Sequence, residues 1–142
     1  MKKIFTKICI ASDHAGYRLK EKIKDYLIDK SISVIDLGPF SGNSVDYPDY
    51  AKKVAKRLIL KKSDAGILVC GSGTGMAITA NKFKGIRAAQ CYSKLSTILS
   101  RQHNNSNIIC LGSRMLKYKE SLKYVTYFLN TKFEGGRHQT RI

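Results

Sequence analysis

Apolar residues fall in short blocks along the chain, and the blocks alternate with stretches in which apolar positions recur every three or four residues. The blocks are 8–11, 34–37, 67–70, 88–92 and 108–111, most of them apolar almost throughout. A strand with one wet face would alternate, so near-continuous blocks predict strands covered on both faces, as in a parallel sheet. Between them, the stretch 17–28 places Leu19, Ile23, Tyr26 and Leu27 at helical spacing among Arg18, Lys20, Lys22 and Lys24. Stretches 51–60, 76–82, 94–102 and 122–129 have a similar period, and Pro48 suits the first turn of the second helix. Five β–α units with short connections predict a doubly wound α/β sandwich. Ligands of such sheets bind beyond the carboxyl ends of the strands, near the point where strand order reverses. The residues directly after each block are therefore the ones to read for chemistry.

Composition narrows the class. The 142 residues form one expected domain, 1–142, long enough to bury about two-thirds of the unfolded surface. At 43% hydrophobic and 25% charged, the chain is neither disordered nor membrane-embedded. Residues 1–7 are basic without the apolar region of a signal peptide, so secretion is not expected. Cys9, Cys70, Cys91 and Cys110 show no C-x-x-C spacing and lie mostly inside apolar blocks. That speaks against a zinc site or a disulfide framework and for a reducing compartment, the cytoplasm by default. The formal charge of +16 attracts phosphates of any kind. Its lysines are spread in pairs such as Lys52-Lys53 and Lys61-Lys62, with no basic arm or aromatic RNA-binding signature, so neither a dedicated nucleic-acid partner nor a membrane partner is expected.

After the first block stands Ser12-Asp13-His14-Ala15-Gly16. Ser12 or Asp13 as a helix cap explains the acid, but not an adjacent histidine at a strand's carboxyl end. After the third stands Cys70-Gly71-Ser72-Gly73-Thr74-Gly75-Met76. Glycines at alternate positions let several N–H groups turn inward beside a helix N-terminus, the geometry of an anion nest. The segment is neither a P-loop nor a G-x-G-x-x-G dinucleotide fingerprint. Cys70 is either a small buried hydrophobe, as most free cysteines are, or a thiolate favoured by those donors. Asp46-Tyr47-Pro48 reads as a turn into a helix unless Tyr47 enters the cleft. Further on come Arg101-Gln102-His103-Asn104, then Gly112-Ser113-Arg114, then a tail with Arg137 and Arg141 four apart; on a helix those two would share a face and clamp one phosphate. Pooled at the strand ends, this set suits proton abstraction beside a carbonyl on a phosphorylated substrate. No G-x-S-x-G elbow supports acyl transfer, and no carboxylate-rich metal site is present.

Ala11-Ser12-Asp13-His14-Ala15-Gly16, Asp46-Tyr47-Pro48, Cys70 to Gly75, Ala80-Asn81-Lys82, Arg101 to Asn104 and Gly136-Arg137-His138-Gln139, in that order, resemble the type B ribose-5-phosphate isomerase family. Its wider group includes galactose- and allose-6-phosphate isomerases. The resemblance implies a Rossmann-like three-layer αβα sandwich with a five-stranded parallel sheet. It implies an aldose–ketose isomerase of ribose 5-phosphate and ribulose 5-phosphate that works through an enediolate without metal or organic cofactor. It also implies a homodimer, or a tetramer, with sites shared between subunits. Carried onto matching positions, Cys70 is the general base, Ser72 with Gly71, Gly73, Thr74 and Gly75 holds the enediolate oxygen, and His103 assists ring opening. Asp13, Tyr47 and Asn104 hold sugar hydroxyls; His14, Arg114, Arg137 and Arg141 bind phosphate, the last two from the other subunit. One branch of the family uses a glutamate after the glycine loop in place of the cysteine; here Met76 stands there and cannot accept a proton. The alternatives are a six-carbon sugar-phosphate isomerase, of which the galactose type is expected to need two different subunits, and a non-catalytic anion- or nucleic-acid-binding module.

Overall fold

The computed structural model describes residues 3–142; Met1 and Lys2, the start of the basic N-terminal stretch, lie outside the described residues. Five strands, β1 (Ile8–Ser12), β2 (Val34–Asp36), β3 (Ala65–Cys70), β4 (Ala88–Gln90) and β5 (Ile108–Gly112), form one all-parallel sheet in the order β2-β1-β3-β5-β4. They alternate with helices α1 (Tyr17–Asp29), α2 (Tyr47–Ile59), α3 (Thr74–Ala80), α4 (Lys94–Gln102) and α5 (Tyr118–Asn130). A short 3-10 helix, Gly136–His138, follows. This is the expected αβα sandwich.

The blocks are apolar on consecutive positions because both faces of the sheet are covered. Ile8, Ile10, Ile67, Val69, Ile109 and Leu111 pack against Leu19, Ile23 and Leu27 of α1 and Val125, Phe128 and Leu129 of α5. The alternate residues, among them Cys9, Ala11, Leu68, Cys70 and Cys110, meet Ala51, Val54, Ala55 and Leu58 of α2 and Met76 and Ala80 of α3. Right-handed crossovers explain the division. Moving from β1 out to β2 puts α1 on one face; returning past β1 to β3 puts α2 on the other. The chain thus reverses direction between β1 and β3, and the carboxyl ends of those two strands carry Asp13 and Cys70.

Several boundaries differ from the sequence reading. Helix α2 starts at Tyr47, with Pro48 in its first turn, and α5 starts at Tyr118, each four residues earlier than the apolar period indicates. Polar first turns carry no hydrophobic signal. Helix α1 is capped at Gly16 without a side-chain cap; Asp13 Oδ1 instead accepts the Gly16 N–H (2.9 Å) in the approach to the helix.

On the outer side of β2, Lys20 is fully buried. Its ammonium donates to both Asp36 oxygens (2.8 and 2.7 Å) and to Glu21 (2.9 Å), while Lys24 donates to Asp36 (3.0 Å). This network ties α1 to the short edge strand β2. Burial works against ionised Asp36, but hydrogen bonds from Lys20, the Gly38 N–H and Lys24 outweigh it and hold the carboxyl below its ordinary range.

Candidate active site

Cys70 ends β3 with its side chain directed to the α2/α3 face, and it is nearly buried. The chain beyond it folds back so that the Gly73 N–H donates to Cys70 Sγ (3.1 Å). That turn needs glycine: Gly73 has φ +82°, and a Cβ there would lie 3.1 Å from the Leu111 carbonyl carbon. The sulfur is thus held by a backbone donor beside the start of α3. The other three thiols lack that loop. Burial pushes Cys9 up to about 11 and raises Cys91 and, strongly, Cys110.

The glycine loop is fastened on three sides. Gln90, at the end of β4, donates through Nε2 to Ser72 O (2.8 Å) and Thr74 Oγ1 (2.9 Å). The β5–α5 turn donates from Ser113 N to Cys70 O (2.8 Å) and from Arg114 N to Gly71 O (2.9 Å). From α2, the Tyr47 ring lies against Gly75 so closely that a Cβ there would sit 2.6 Å from Tyr47 Cε1. The result is a cavity of about 400 Å³ lined by Asp13, Tyr47, Cys70, Gly71, Ser72, Gly75, Arg114 and Met115. It sits at the reversal between β1 and β3, where a doubly wound sheet places its ligand. His14 is exposed nearby, its Nδ1 accepting the Val45 N–H (3.2 Å) and so pinned to the loop before α2.

The remaining predicted residues are not there. His103 caps the carboxyl end of α4, its N–H bonded to Leu99 O (2.9 Å). Because α4 runs antiparallel to the strands, that end returns to their amino ends. Asn104 O accepts from Arg87 just before β4 (2.7 Å), and Asn107 O accepts from Gly66 at the start of β3 (2.9 Å). The tail leaves α5 at the same end and is held there by Glu134 N to Gln102 O (3.0 Å) and Arg101 Nε to Thr131 O (3.0 Å). His103, Asn104, Arg137 and Arg141 therefore lie at the opposite end of the sheet from Cys70. A five-residue strand at about 3.3 Å per residue separates the two sets by on the order of 15 Å. The pooling of all these residues at the strand ends is corrected accordingly: one chain carries two half-sets. Arg137 and Arg141 do not share an α-helical face either, since only Gly136–His138 is helical, as a 3-10 turn. A larger cavity of about 540 Å³ at the amino ends is lined by Ile4, Phe5, Ile8, Ile32 and Leu129 with lysines at its rim and contains none of these groups.

The Ribose/Galactose Isomerase family model matches residues 8–142. The chain belongs to the ribose/galactose isomerase family. It is 43% identical over 136 residues to ribose-5-phosphate isomerase B of Escherichia coli, covering 96% of this chain and 91% of that one. The crystal structure of a ribose 5-phosphate isomerase from Thermotoga maritima superposes with a TM-score of 0.95 at 51% identity, over 96% of this chain and 94% of that one. Ribose-5-phosphate isomerase B from Mycoplasma genitalium with bound ribulose-5-phosphate gives 0.91 at 46% identity, over 95% and 90%.

Some of the ribose/galactose isomerase motifs serve the scaffold. In Ala80-Asn81-Lys82, Asn81 makes a reciprocal pair with Ala88, donating to its carbonyl (2.8 Å) and accepting its N–H (2.7 Å). In Arg101 to Asn104, Arg101 is buried, lies over the Phe5 ring (4.7 Å from its centroid) and anchors the loop through Asn105 Oδ1 (2.9 Å). Gln90 escaped the sequence reading. A polar residue in the middle of the otherwise apolar block 88–92 was its only signal, and its partners lie 16 and 18 positions away.

Proposed function

We propose that the protein is an aldose–ketose isomerase that interconverts ribose 5-phosphate and ribulose 5-phosphate in the cytoplasm. Each working site would form between two copies of the chain. The observation that carries the reading is Cys70 Sγ under the Gly73 N–H, in a cavity shared with Asp13, Tyr47 and Arg114 at the strand-order reversal. The Mycoplasma genitalium relative with bound ribulose-5-phosphate supports the substrate class.

In this mechanism His103 helps open the furanose, exposing the C1 aldehyde. The Cys70 thiolate takes the C2 proton; the electron pair forms the C1=C2 bond and the charge moves to O1. The N–H groups of Gly71, Gly73, Thr74 and Gly75, with Ser72, hold that oxygen. Preorganised donors of this kind are worth about 3 kcal/mol each. The hydroxyl proton on O2 then passes to O1, the C1=C2 pair takes the proton of the Cys70 thiol at C1, and the C2 ketone forms with a C1 hydroxymethyl group and the thiolate restored. Asp13, Tyr47 and Asn104 hold hydroxyls, and His14, Arg114, Arg137 and Arg141 hold the phosphate. Remote phosphate binding supplies orientation that the small reacting centre cannot.

Since His103, Asn104, Arg137 and Arg141 lie at the far end of their own sheet, a partner copy must present them to Cys70, so the reading requires a dimer or a larger assembly. The test is turnover of ribose 5-phosphate and allose 6-phosphate by the wild type, by Cys70→Ala, by Arg137→Ala and by the two variants mixed. Ribose 5-phosphate turnover absent from each variant and regained on mixing is expected. A Cys70→Ala protein of unchanged activity removes the base; preference for the six-carbon sugar changes the substrate; no regain after demonstrated subunit exchange removes the shared site.

A further inference from the structure

His103 has neighbours that the isomerisation does not use. Glu134 is pinned beside it by its N–H to Gln102 O, and Gly135 and Gly136, both with positive φ (+69° and +54°), reverse the tail so that His138 comes back to face Glu134. The Nε2 atoms of His103 and His138 lie 3.9 and 3.6 Å from the same oxygen, Glu134 Oε1. The two rings stack at 4.2 Å with 14° between their planes. One donor atom from each residue fits within a mutual distance of 4.8 Å.

We propose that His103, Glu134 and His138 form a binding site for a divalent transition-metal ion of the zinc class. Two imidazole nitrogens and one carboxylate oxygen are a donor set zinc takes, with arms of about 2.0–2.2 Å that place tetrahedral donors roughly 3.3–3.5 Å apart. Both carboxylate distances are already near that spacing. Closure requires the half-exposed Glu134 to advance by a few tenths of an ångström and the His103 ring to tilt out of the stack; the buried His138 stays. The single carboxylate selects against calcium and magnesium, which need several oxygen ligands. A fourth position remains for water.

The ion would take the lone pair of His103, so on the function proposed above it inhibits the isomerase reversibly. Zinc uptake is measured by calorimetry on the full chain carrying Cys70→Ser, which removes the competing thiolate, and inhibition is measured on the enzyme with Cys70 intact. One ion per chain is expected, with affinity falling about tenfold or more in Glu134→Gln and in His138→Phe, a variant that keeps the stacked ring and loses its nitrogens. Circular dichroism confirms that both variants fold. Zinc inhibition of the wild type, reversed by EDTA and weakened in His138→Phe, completes the expected result. No uptake, or uptake unchanged by both substitutions, overturns the site. Uptake without inhibition upholds the site and counts instead against His103 in ring opening. Because calorimetry needs no turnover, an inactive wild type leaves the metal question fully answerable.

Discussion

Replacing Gly16 by alanine tests whether the close approach of α1 to β3 holds the Asp13–Cys70 junction. A Cβ at Gly16 would lie 2.4 Å from Val69 O, 2.6 Å from Val69 C and 2.8 Å from Val69 Cγ1. The obstacle is backbone in a strand paired on both sides, so it cannot swing away as a side-chain tip does. Overpacking costs about 1–3 kcal/mol, and an immovable carbonyl places this case near 3. The lower entropy of alanine in the unfolded chain returns about 0.4–1 kcal/mol, leaving a net loss of about 2–2.5 kcal/mol. Unfolding entropy of about 2.1 cal/mol/K per residue over 142 residues gives about 0.3 kcal/mol/K, hence a fall in Tm of about 7–8 °C. Val69 O also accepts the Asp13 N–H (3.1 Å), so isomerase turnover should drop with stability. Calorimetric melting of Gly16→Ala beside Gly42→Ala, whose Cβ meets only Tyr17 Cδ2 at 4.0 Å, provides the comparison. Equal melting temperatures for the two variants would refute the argument.

Two further outcomes follow from contacts already described. Gln90→Leu removes both donors from the glycine loop, each worth about 1 kcal/mol. Turnover of ribose 5-phosphate should fall about tenfold and Tm by up to about 7 °C; an unchanged kcat would show that the loop holds itself. Asp36 has a folded pKa below its ordinary value. The stability it contributes is therefore complete above the usual carboxylate pKa of about 3.9 and is lost as pH falls through the lower folded value. Urea midpoints measured down the acid limb should show that loss, and the double variant Lys20→Met/Asp36→Asn, which removes the buried pair together, should show a shallower one. Identical acid limbs would count against the assignment.

The central strands were legible because covering both faces leaves β1, β3 and β5 with no polar position to interrupt them. Edge strands were less so: β2 exposes Ile35, and β4 is only Ala88–Gln90. A helix start was missed where the first turn is polar and carries no other mark, as in Tyr118-Lys119-Glu120, whereas Pro48 marked the first turn of α2. The Cys70 half of the candidate site could be read because Asp13, Cys70, Gly71 and Arg114 directly follow strands, and the fold rule says where such residues go. His103 and the tail follow helices, whose ends return to the other edge of the sheet. Reading them by neighbourhood in the sequence alone placed them on the wrong side. Gln90 and the His103–His138 stack depend on contacts between distant segments that no local pattern announces.

The separation of the two half-sets along the sheet bears on how substrate length is chosen. Neither half resides on a mobile arm: one is fixed to the strand ends, the other to the end of α4 and the anchored tail. On the shared-site reading, the reach from the base to Arg137 and Arg141 is a docking distance between two rigid bodies rather than the depth of a pocket within one. A chain of this design can be retuned for a longer or shorter sugar phosphate by substitutions on its outer faces that slide one copy against the other, with every residue around Cys70 left as it is.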